Sequence, residues 1–153
     1  MTDNLEMFWN EFLESNPHIP HDTAFQTWYL GSSRDQAIEL AQLVISGTKT
    51  ATASLLETNL RQPDKAPIDG GYSVVTSFEG EPMCVVQTTE IRQLPFCEVD
   101  AAFAYDEGED NRTLQSWRAG HWAYFTREAD ELGFEFNENS IVCCERFRLL
   151  FPV

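Results

Sequence analysis

Two strand-forming runs, YSVVTSF (72–78) and MCVVQTTEIRQL (83–94), are separated only by Glu79-Gly80-Glu81-Pro82. A connection that short reads as a hairpin, so the two runs pair antiparallel. In the second run Val85, Gln87, Thr89 and Ile91 share one parity and Val86, Thr88 and Glu90 the other. Both faces are therefore mixed, which suits a barrel or a covered sheet better than a flat open one. A last run, SIVCCERFRLLF (140–151), extends the same β-rich region.

Helical stripes lie to either side of this middle. Leu5, Phe8, Trp9, Phe12 and Leu13 recur at helical spacing behind an Asp3–Glu6 capping pair, and Pro17 bounds them. Ser33 and Gln36 form a capping box ahead of Ala37, Ile38, Ala41, Val44 and Ile45, and Gly47 ends that helix. Leu114, Trp117, Arg118, His121, Trp122, Phe125, Ala129 and Leu132 mark a third stripe, closed by Gly133. The spacing predicts helices over 3–15, 33–46 and 113–132, with a shorter one over 98–105. Residues 17–32, with two prolines early and Gly31 late, read as an ordered loop with aromatic anchors. Without βαβ alternation the class is α+β around a small barrel. A chain of 153 residues is read as a single domain, 1–153.

The formal charge of −15 constrains partners more than any other bulk property. A field of that sign repels long polyanions, and no cluster of Lys and Arg offers a basic stripe for RNA or DNA. A compact site for one nucleoside or a short RNA remains compatible with it. No apolar run reaches membrane-spanning length, and MTDNLEMF lacks a signal peptide's basic start, so no membrane partner and a cytoplasmic location are expected. Cys84, Cys97, Cys143 and Cys144 fall into no metal spacing and read as reduced thiols.

The segment GTKTATAS (47–54) holds the most suggestive chemistry, because it sets Lys49 among small and hydroxylated residues that can line a narrow cleft. Desolvation there would lower the amine's pKa and let it act as a base, while a lysine held for function would add little to stability. It is not a phosphate loop: Thr48 separates Gly47 from Lys49, the upstream glycine is missing, and the segment follows a helix. His18 and His21 form an H-x-x-H without a third ligand in register, so they read as surface residues. His121 lies on the third stripe, and Arg118 on the same face could pair with a carboxylate of DEGED (106–110). Trp28, Tyr29 and Tyr72 are candidates for stacking on a base.

GTKTATAS after a helix, PIDGGYSVV, CVVQTTEIRQLPFCEV, AFAYDEGEDNRTLQSWRAGH and VCCERFRL together resemble the ASCH-domain family of the PUA-like superfamily, in its longer bacterial branch with an added N-terminal helix. The resemblance implies a PUA-like mixed β-barrel ringed by helices. It also implies RNA-derived ligands and, in some members, deacetylation of N4-acetylcytidine or metal-dependent RNA cleavage. Lys49 and Thr52 match the lysine and threonine of the amidohydrolase motif, and Glu107, Glu109 and Asp110 lie where its acid belongs. The implied mechanism has a neutral Lys49 deprotonating Thr52 or water, and an acid of 107–110 carrying the proton to the leaving amine. Ser54, Trp28, Tyr29, Tyr72, Arg118 and His121 are the expected substrate contacts. No cofactor is expected for this reaction; a divalent cation would serve the ribonuclease alternative. A non-catalytic RNA-binding module is the other alternative.

Overall fold

A computed structural model describes the backbone of residues 2–152 and the side chains of residues 4–152. The elements run α1 (Thr2–Ser15), β1 (Phe25–Trp28), α2 (Arg34–Ile45), β2 (Ala51–Leu55), α3 (Leu56–Arg61), β3 (Tyr72–Thr76), β4 (Pro82–Pro95), α4 (Ala101–Glu107), α5 (Leu114–Leu132) and β5 (Ile141–Phe151). The three long helices fall where the apolar stripes put them. Ser33 and Thr113 cap α2 and α5 by accepting from the Gln36 and Ser116 amides. Helix α1 begins at Thr2, and the Asp3 side chain of the expected capping pair lies outside the described residues.

Five strands form one sheet in the order β1-β3-β4-β5-β2. The expected hairpin is β3–β4, and β4–β5 and β5–β2 are also antiparallel. Two expectations are corrected. The loop of 17–32 contains strand β1, which pairs parallel to β3 from Phe25↔Tyr72 to Trp28↔Val75. The sheet is also open rather than a closed barrel, since β1 and β2 are its two edges.

The mixed parity of β3 and β4 is explained by cover on both faces. Val74 and Val85 are cross-strand partners that pack under Trp9, Phe12 and Leu13 of α1. Their neighbours Val75 and Cys84, also partners, pack with Val86 under Ala41 and Val44 of α2. A third cluster joins Ala51, Leu55, Val142 and Cys144 of β2 and β5 to Phe103 of α4 and to Trp117 and Phe125 of α5. Fully buried side chains such as Phe12 and Phe125 each contribute roughly 1.5–3 kcal/mol by leaving water. The four cysteines are free, and burial pushes the Cys84 and Cys144 thiols up to about 12, which keeps them protonated and inert. No helix among the described residues is long and apolar enough to cross a membrane.

Candidate functional site

Lys49 is delivered by the end of α2. Gly47, at φ +83°, turns the chain, and the amides of Thr48 and Lys49 both donate to the Leu43 carbonyl at 3.0 Å. The strand begins only at Ala51, so Lys49 stands in irregular backbone and is not bound by strand alternation relative to Thr52. Its side chain runs inward and is 1% exposed. Nζ donates to Glu109 Oε2 at 2.6 Å, Ala51 O at 2.8 Å, Glu107 Oε1 at 3.1 Å and Glu107 O at 3.2 Å.

Glu107 ends α4 and is itself 1% exposed. Its second oxygen accepts from Trp117 Nε1 at 2.6 Å and lies 3.1 Å from His121 Nε2. The other His121 nitrogen, Nδ1, is 2.9 Å from the Trp117 carbonyl. A carbonyl only accepts, so Nδ1 carries a proton; with Nε2 facing a carboxylate, the ring is placed to be an imidazolium. Two cations and two carboxylates thus share one buried cluster, the arrangement that lets a low-dielectric interior hold charge.

Gly108 makes the junction close enough. It caps α4 at φ +70°, and a Cβ there would collide with the Thr48 carbonyl oxygen and sit 3.0 Å from Lys49 Cα. The Asp106 carbonyl accepts the Thr50 amide at 2.8 Å, tying α4 to the start of β2. Beyond it, Asp110 and Arg112 hold positive φ of 51° and 63°, and the Arg112 guanidinium stacks 3.6 Å over the Tyr105 ring. Two non-glycine residues in the left-handed region mark this loop as strained and held by its contacts.

Burial and neighbouring charges set the direction in which each group is shifted. Burial alone would lower the Lys49 pKa, but Glu107 and Glu109 raise it above the ordinary lysine value. The neutral-lysine expectation is therefore corrected: the amine is an ammonium held by two carboxylates. Glu107 is pushed up by burial yet held below the carboxylate range by Lys49 and His121. His121 would be lowered by burial but is raised by Glu107. Glu109 goes the other way, raised by burial and by Glu107 repulsion against the pull of Lys49. Of the two glutamates it is the one partly open to solvent, with its side chain 29% exposed.

Glu109 opens onto a cleft of about 810 Å³ bounded by both free edges of the sheet, α2 and α5. Of the expected residues, Thr52, Ser54, Trp28, Tyr29, Glu107, Glu109, Asp110 and His121 line it. Lys49 lies behind the wall. Tyr72 does not line the cleft; its ring packs against Trp9 and Phe12 under α1. Arg118 is exposed and donates to the Cys97 carbonyl at 3.3 Å, so its expected pairing with DEGED is corrected. Arg146 makes that contact instead, with Asp106 at 3.1 Å. His18 and His21 are exposed, as expected. No group of three or more His, Cys, Asp or Glu among the described residues is arranged to hold a metal ion.

The sequence reading missed Asn59 and Glu145 on the cleft wall. Glu145 had a signal: a charged residue inside VCCERF, on the parity of Cys143 and Phe147.

Comparison with protein families gives a match to the ASCH domain over residues 26–150. The chain belongs to the ASCH domain family. Helix α1 precedes the matched stretch, as the resemblance to the longer branch implied. Among solved structures, the ASCH domain from Lactobacillus crispatus JV V101 superposes with a TM-score of 0.86 at 28% identity, over 97% of this chain and 94% of that one. A protein from Enterococcus faecalis V583 gives a TM-score of 0.86 at 29% identity, over 97% and 89% of the two chains. A hypothetical protein at 13% identity, TM-score 0.56, shares the fold over 82% of this chain and 99% of its own. Comparison with curated proteins finds no match.

Proposed function

We propose that this ASCH domain is an amidohydrolase that removes the acyl group from N4-acylated cytidine-type nucleosides. The observation that carries the reading is Glu109: a carboxyl pinned by a buried ammonium, raised in pKa, and opening on a cleft of about 810 Å³ that also presents Thr52. A raised carboxyl that can take and return a proton is suited to general acid–base work, and a cleft of that volume fits a nucleoside. The family's association with RNA supports a nucleotide-derived ligand, and the charge of −15 favours a small one over a long polyanion.

In this reading Glu109 removes a proton from water as the water oxygen attacks the acyl carbon. Thr52 donates to the developing oxyanion. Collapse of the tetrahedral intermediate breaks the C–N bond, and the proton on Glu109 passes to the departing N4 amine, leaving acetate and cytidine when the acyl group is acetyl. Lys49 positions the acid directly, and His121 acts on Lys49 through Glu107. The test is incubation with a panel of N-acylated nucleosides and short RNAs, with and without EDTA, read by mass change. Loss of 42 Da, one acetyl replaced by hydrogen, from an acetylated nucleoside irrespective of EDTA supports the reading. Chelator-sensitive cleavage of RNA with the nucleosides untouched would overturn it in favour of the ribonuclease.

A further inference from the structure

Another carboxyl that lines the same cleft stands outside the hydrogen-bonded Lys49 cluster. Glu145 sits on β5 directly across from Thr52 of β2 and is 7% exposed. Thr88 Oγ1 donates to its Oε2 at 2.6 Å, the one hydrogen bond or ion pair found for this side chain among the described residues. No cation faces it. Arg146, next in the chain, turns to the other face and binds Asp106 and Glu90, and the ammonium of Lys49 is held by Glu107 and Glu109.

A buried carboxyl without a cation keeps its proton rather than stand as an isolated charge; burial raises this one, opposed only by the Thr88 bond. The neutral group then offers one O–H donor beside one acceptor. No buried side-chain oxygen among the described residues lacks a partner, so the oxygen Thr88 does not take must reach the cleft that Glu145 lines. Thr52, Ser54 and Asn59 on the same wall are polar and uncharged, and Asn59 Nδ2 donates to Ser54 Oγ at 3.0 Å.

We propose that Glu145 is the specificity-determining residue of the cleft, donating the O–H of its neutral carboxyl to the ring-nitrogen acceptor of a cytosine-type base. The inference rests on the nucleoside reading above and names the edge of the base that is read. Acylation of the exocyclic nitrogen leaves the ring nitrogen unsubstituted, so substrate and product both present this acceptor. Arrangements without an acceptor on that edge leave the Glu145 proton unpaired in a buried wall, which is how a polar site rejects a close analogue.

Titration of the protein with cytidine and with 3-deazacytidine, the isostere that lacks the ring acceptor, tests this without any chemistry. The wild type should bind cytidine at least roughly tenfold more tightly, the effect of one buried donor losing its partner. Glu145→Gln should keep that preference, because its amide offers the same donor and acceptor; Glu145→Leu should bind both ligands alike. Should Glu145→Leu fail to fold, the wild-type and Glu145→Gln ratios still decide. Equal binding of the two nucleosides by the wild type, no binding of either, or a preference that survives in a folded Glu145→Leu overturns the proposal. Hydrolysis of N4-acetylcytidine is assayed separately: its absence removes the hydrolase reading, while the titrations still decide the role of Glu145.

Discussion

Lys49 and Glu109 touch, yet their replacement has opposite consequences. Lys49 is 1% exposed and compensates a fully buried Glu107. Lys49→Met strands that charge, and we expect a loss of about 3–5 kcal/mol in denaturant unfolding. Lys49→Arg forces a wider head into a filled site and should lose roughly 1–3 kcal/mol, against the sequence expectation of nearly unchanged stability. Glu109 sits at the cleft, so Glu109→Gln should lower the rate of deacylation by roughly 10²–10⁴-fold while the melting temperature moves by no more than a few degrees. Much of this site was legible: GTKTATAS and DEGED together supplied Lys49, Thr52, Glu107, Glu109 and Asp110. The protonation of Lys49 was not, because it depends on which carboxylates a distant helix end brings within 3.1 Å. Tyr72 and Arg118 were misplaced for a related reason: neither an aromatic side chain in a strand-forming run nor a place on a helical stripe shows which side of the molecule a residue meets.

At the scale of elements, the α4–α5 connection carries the acids, and its geometry hangs on Gly108. Gly108→Ala must accommodate φ +70° and a collision with backbone at Thr48, which cannot rotate aside as a side chain can. We expect a destabilisation above about 1 kcal/mol, and because Glu107 and Glu109 flank the glycine, a fall in the deacylation rate in whatever folded fraction remains. Comparison of unfolding curves and of rates normalised to folded protein checks both. The long helices were readable because caps and apolar stripes are local. Strand β1 was not: four residues, FQTW, owe their extended form to parallel pairing with β3, more than forty residues on. The mixed faces of β4 signalled cover on both sides, and two helices supply it; whether the edges also join is decided by long-range closure that no local pattern reports.

The molecule as a whole should be most stable at mildly acid pH. His121 is raised, so its contribution is fully present below its unfolded value of about 6.5 and is lost as pH rises through the folded value. Glu107 is lowered, so its contribution is present above the ordinary carboxylate value and lost as pH falls through the folded one. Glu109 and Glu145 are raised, so the unfolded chain releases their protons first and stability declines as pH climbs out of the carboxylate range. Self-repulsion at a net charge of −15 adds to the alkaline loss. Melting temperature should peak at roughly pH 5–6.5 and fall above it, with His121→Gln flattening the alkaline branch. The fold thus keeps a costly charged cluster in a cleft wall, and the most direct test of why is the initial rate of cytidine release from N4-acetylcytidine, followed by chromatography in EDTA for the wild type and Glu109→Gln. The account predicts steady turnover by the wild type and a rate roughly 10²–10⁴-fold lower for a folded Glu109→Gln; wild-type protein that leaves N4-acetylcytidine intact, or a Glu109→Gln variant that matches its rate, would contradict it.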